Sequence, residues 1–193
     1  MKRLPFILLA FILCSFFSSE VVNNKTVKIL EQSRIGILGS TNVNSFECKL
    51  NVAEVNTLLK INFKEDQKKI FFDKTALHID VSCFDCGNNI MNSDFRELLQ
   101  ADIYPEIVLE LKEIVVNPKN EQDILAYMAI HLAGKSRMYS FPLKVEKDHL
   151  MHINGCLNLR LSDFEIEAPK KALGLIVVSD EIEINIDLLI KTY

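Results

Sequence analysis

The chain has no apolar run long enough to cross a bilayer comfortably as a helix, which takes about 20 residues; its one candidate, residues 4–17, is shorter. It has no excess of positive charge, with 22 Lys and Arg against 26 Asp and Glu, so the electrostatic footprint of a nucleic-acid binder is missing. Only 5 prolines and 6 glycines are present, and no Pro-rich, Gly/Ser-rich or single-sign run marks a linker. No internal repeat is visible. One domain with a sizeable core is expected.

What is there begins with a leader. Lys2 and Arg3 precede the apolar run, and Ser18 and Ser19 follow it before Glu20, the layout of a signal peptide. The expectation is removal of residues 1–19, export of the mature domain 20–193, and residence in the periplasm or outside the cell. Losing Lys2 and Arg3 takes the net charge from −4 to −6. Acylation at Cys14 is the alternative, but Leu13 stands where a small residue belongs.

Beyond the leader, short stretches alternate apolar and polar residues with the period of two that gives a strand one dry face. Phe46, Cys48, Leu50 and Val52 form one such phase; Leu77, Ile79, Val81 and Cys83 another; Ile107, Leu109 and Leu111 a third. Tyr139, Phe141, Leu143 and Val145, then Met151 and Ile153, then Ile182, Ile184, Ile186 and Leu188 continue the pattern. Residues 124–132 are apolar in both phases, so their orientation stays open. One stretch changes period: Met91, Phe95, Leu98 and Leu99 fall on a helical stripe, and a helix over 91–101 is expected before Pro105. So many one-sided strands with a single helix predict an all-β antiparallel sheet that hides its faces by closing. A barrel of about eight strands, with the short inserted helix over one end, has room for side chains or one small ligand.

Candidates for chemistry are few. Gly134-Lys135-Ser136 lacks the upstream Gly of a phosphate-binding loop, having Ala129 there, and reads as a hairpin turn. His149 and His152, three apart in a predicted strand, point to opposite faces and cannot share a metal. His78 and His131 stand alone, and the polar cluster around Asp163 reads as a side-chain-to-backbone turn. No metal and no cofactor is expected. The mature chain keeps Cys48, Cys83, Cys86 and Cys156, an even set in an oxidising compartment that allows three full pairings. Cys83-Phe84-Asp85-Cys86 has the spacing of thiol oxidoreductases, but three residues separate it from the helix whose N-terminus would lower a thiol's pKa.

Three stretches resemble the YceI-like family of secreted lipid-binding domains: Gly39-Ser40-Thr41-Asn42-Val43 through Cys48, Asp85-Cys86-Gly87-Asn88 through Tyr104-Pro105-Glu106, and Leu161-Ser162-Asp163-Phe164 through Gly174. The family's better-known branch opens with a His-Leu-Gly segment that has no counterpart here. The resemblance implies a lipocalin-like barrel holding a polyisoprenoid or similar amphiphilic lipid, no catalysis, and a Cys48–Cys86 disulfide, since these cysteines lie in two of the matching motifs. If the barrel is hollow, its lining should include Leu77, Ile79, Val81, Leu109, Leu111, Tyr139, Phe141, Met151, Ile184 and Ile186, with Arg96 or Arg137 near the mouth. The alternatives are a filled barrel used as an interaction or stress-related scaffold, and a thiol oxidoreductase using Cys83 and Cys86.

Overall fold

The computed structural model describes residues 22–193; the expected leader, with Cys14, lies outside them. The strands are β1 (Asn23–Ile29), β2 (Arg34–Ser40), β3 (Ser45–Leu50), β4 (Leu58–Asp66), β5 (Lys69–Asp80), β6 (Phe84–Asp85), β7 (Glu106–Val116), β8 (Asp123–Leu132), β9 (Lys135–Lys147), β10 (Met151–Arg160), β11 (Lys170–Lys171), β12 (Ile176–Val177) and β13 (Glu181–Thr192). Among the described residues there is one α-helix, α1, spanning Asn89–Leu98. Eight strands close an antiparallel barrel in the order β1-β4-β5-β7-β8-β9-β10-β13, with β13 returning to β1.

Closure depends on the length of β13. Its first half, Glu183 to Asp187, pairs with β2, and its end, Ile190 to Thr192, pairs with β1, so β1 and β2 share one flank of a single long strand. Ser33 holds the corner between them: its buried hydroxyl donates to the Leu189 carbonyl and accepts the Leu189 N–H at 2.9 Å. From β2 the sheet runs on through β3 to β6, forming a flap beside one barrel end.

Pairing also decides the phase that composition left open. Ile130, Met128, Ala126 and Ile124 of β8 stand opposite Leu109, Leu111, Ile114 and Val116 on one side and Arg137, Tyr139, Phe141 and Leu143 on the other. That phase faces inward. Two bulges, between Phe71 and Thr75 and between Leu111 and Glu113, switch the inward phase within β5 and β7. Lys74, in the left-handed region at φ 49°, sits in the first, a bulge that re-aims the strand. β5 therefore joins two segments that the alternation alone separates.

The barrel end near α1 is filled. Asn88 caps the helix by accepting the Met91 N–H at 3.0 Å, and Phe95 from the apolar stripe meets Phe84 with ring centroids 5.5 Å apart. Leu99, Leu161, Phe164 and Ile166 complete the plug with Ile79, Val81 and Cys48. The β8–β9 hairpin closes beside it, and Gly134 is needed there twice over. Its φ of 73° suits glycine, and a Cβ would lie 2.5 Å from the Tyr104 ring.

Candidate ligand-binding interior

The inward phase of the barrel is apolar from strand to strand. Leu77 and Ile79 of β5 stand opposite Leu109 and Ile107 of β7, and Leu111 opposite Met128. Tyr139 and Phe141 follow on β9, Met151 faces Ile190 across β10 and β13, and Ile184 and Ile186 face Ile37 and Ile35. Burial along this lining is uneven. Near the plug, Ile79, Ile107, Ile130, Leu157, Leu159 and Ile182 are buried, and farther along so are Ala126, Phe141, Ile124 and Val145. Between them Leu109, Leu111, Met128, Leu143, Ile186, Leu188 and Ile190 are only half-buried, although they face into a closed sheet and pack against the core.

One expected lining residue belongs elsewhere. Val81 does not continue β5, because Asp80 turns the chain by accepting the Ser82 N–H at 2.7 Å and its hydroxyl at 2.6 Å. Residues Val81–Cys83 form a 3₁₀ turn, and Val81, 1% exposed, sits in the plug. Met128, Leu143, Leu188 and Ile190 join the lining as well: Leu143 and Leu188 continue alternations that the sequence already displays, whereas Met128 lies in a strand apolar in both phases and is oriented by its pairing with Leu111 and Tyr139.

Polar groups gather at one place. Tyr139 donates its hydroxyl to the Asp163 carboxylate at 2.6 Å and stacks on Phe164 at 6.1 Å. Desolvation first, then the Asp163 bond, pushes its phenol up to about 12. Asp163 therefore engages a side chain across space and not merely its own turn. A cavity of about 480 Å³ lies here, lined by Tyr139, Asn158, Leu159, Arg160, Asp163 and Glu181. Arg137 is drawn to Glu165, 3.9 Å away, whereas Arg96 is exposed on the helix.

Cys48 and Cys86 are disulfide-bonded, joining β3 to the turn before α1. Cys83 is consequently not paired with Cys86; it is free and buried, its sulfur 3.9 Å from the Glu54 carbonyl, and burial followed by Asp80 and Glu54 pushes its thiol up. That is the reverse of what a reactive thiolate needs. His149 lies in the turn before β10, not within a strand, while His152 bonds Asp187 at 2.6 Å. Among the described residues no group of three or more potential ligands surrounds a metal position.

The YceI-like domain model matches residues 30–190. The chain belongs to the YceI-like family. Among solved structures, this YceI-like fold is similar to Burkholderia cenocepacia BcnA, with a TM-score of 0.62 and 19% identity over 83% of this chain and 96% of that one. It is also similar to a polyisoprenoid binding domain from Saccharophagus degradans implicated in plant cell wall breakdown, with a TM-score of 0.61 and 14% identity over 86% and 98%. A Campylobacter jejuni YCEI protein aligns with a TM-score of 0.54 and 13% identity over 100% and 99%. No curated protein matches the chain.

Proposed function

We propose that this YceI-like chain is an exported, non-catalytic carrier that holds a long-chain amphiphilic lipid of the polyisoprenoid kind inside its barrel. One observation carries the reading: a closed sheet whose inward phase is aliphatic and aromatic, and whose middle stretch, around Leu109, Leu111, Met128 and Ile186, faces inward yet stays partly accessible. Such a lining is what a flexible apolar chain requires, and Met128 and Met151 give it adaptable walls. The similar fold of a polyisoprenoid binding domain supports the ligand class.

The energetics are compatible. Burying about 400 Å² of isoprenoid tail at about 25 cal/mol per Å² yields about 10 kcal/mol gross, and association with chain ordering consumes several to more than ten of that. At the low end of that cost about 6 kcal/mol remains, a dissociation constant of roughly tens of micromolar from the apolar tail alone. Native mass spectrometry of protein purified from its own envelope, with extraction of co-purifying lipid, tests the reading. A lipid-free protein that also takes up no isoprenoid alcohol from vesicles would make the barrel a filled scaffold.

A further inference from the structure

The barrel wall has a break that its strand count conceals. β9 and β10 pair only from Met151 opposite Lys147 to Gly155 opposite Leu143, yet β9 runs back to Lys135 and β10 on to Arg160. Gly155 marks the last paired position, where a Cβ would lie 2.3 Å from the Leu143 side chain and 2.9 Å from the Pro142 carbonyl. Past it the two strands separate, and the 3₁₀ segment Leu161–Phe164 fills the gap.

Side chains, not a ladder, hold this gap shut. Tyr139 reaches from β9 to Asp163 at 2.6 Å. Lys135 pairs with Glu165 at 2.6 Å, and Arg137 lies 3.9 Å from the same carboxylate. The cavity of about 480 Å³ lies at this seam. Tyr139 and Leu159 in its wall belong to the inward phase, whereas Asn158 and Arg160 belong to the outward phase, so the cavity is set into the wall at the seam.

Given the carrier reading on which this rests, we propose that the seam between β9 and β10 is the lateral doorway for the apolar ligand, latched by Asp163 and Glu165. The barrel end near α1 is blocked by the plug, and separating any continuously paired strands would break a run of backbone hydrogen bonds. Opening the seam breaks no strand ladder: it costs the Tyr139–Asp163 and Lys135–Glu165 contacts, each weak in water, and displaces the Leu161–Phe164 segment, whose Leu161 and Phe164 are buried. Asp163 and Glu165 act as positioning residues here, through Tyr139, Lys135 and Arg137.

Exchange kinetics test the doorway. Dansyl-labelled geranylgeraniol is delivered from phosphatidylcholine vesicles to the mature chain, and uptake and release rates are followed with the equilibrium affinity. Asp163→Ala and Glu165→Gln should each raise both rates on the order of fivefold, the effect of one lost hydrogen bond or ion pair, while affinity changes far less. Asp163→Asn, which keeps an acceptor for Tyr139, should return the rates toward wild type. In a Cys156→Ser background, Lys135→Cys with Glu165→Cys joined by a short bis-maleimide should block exchange. Unaltered rates in the alanine variant and in the cross-linked protein, with wild-type affinity intact, would overturn the doorway and leave the carrier reading standing. Wild-type protein that takes up no probe would overturn the carrier reading and the doorway with it.

Discussion

Tyr139 shows how one residue serves both wall and site. Its phenol is held protonated by desolvation and by Asp163, so the folded chain keeps until about pH 12 a proton that an unfolded tyrosine releases near 10. The resulting stabilisation is complete below about pH 10 and is lost as pH rises through the folded value. Spectroscopic titration should therefore show a transition near pH 12, and Tyr139→Phe should remove it and flatten the alkaline decline in stability. The apolar phase of Tyr139 was readable in the alternation around Phe141 and Leu143; its partner was not, because Asp163 lies 24 residues away in a loop. A second pair of variants separates hollow from filled interior residue by residue. Leu111→Trp, at a partly accessible inward position, should weaken lipid binding with little change in melting temperature. Val81→Trp, in the plug, should cost about 1 to 3 kcal/mol, as overpacking does, with lipid titration and thermal melts as the readouts.

At the scale of elements, periodicity placed most strands and the helix, and failed where the chain changes phase or direction. Asp80 ends β5 through its own side chain, so Cys83 and Val81, which continue the alternation on paper, leave the sheet. The bulge at Lys74 has the opposite effect: the break in pattern between Phe72 and Thr75 reads as a turn, whereas one strand passes through it. The Cys48–Cys86 pairing came from the family motifs, since spacing alone allowed three arrangements. This bond closes a separation of 38 residues and fastens the plug to β3. By the chain-entropy relation its loss should cost about 4 kcal/mol. Denaturant melts of Cys48→Ala with Cys86→Ala against wild type check this; an unchanged midpoint would mean that the apolar packing of the plug holds it without the disulfide.

For the whole molecule, closure of the barrel was legible because so many one-sided strands had to bury one face each, but the hollowness of that barrel was not. A filled core and a dry pocket share one composition, and the difference lies in how far the plug reaches toward residues such as Leu111. The seam was equally hidden, since β9 and β10 alternate without interruption past Gly155 and only the inserted Leu161–Phe164 segment parts them. Hollowness has a thermodynamic signature. Ligand that binds the folded chain alone, present at about a hundred times its dissociation constant, stabilises by about 2.7 kcal/mol, and for a domain of this size each kcal/mol moves the melting temperature by about 2 to 4 °C. An isoprenoid alcohol at that excess should accordingly raise Tm by roughly 5 to 10 °C, and Leu111→Trp should shrink that rise by occupying the same space. Calorimetry with and without the alcohol measures both. If lipid-free protein already melts where the loaded protein is expected to, and added alcohol leaves it there, the partly accessible lining borders no space that a lipid can use.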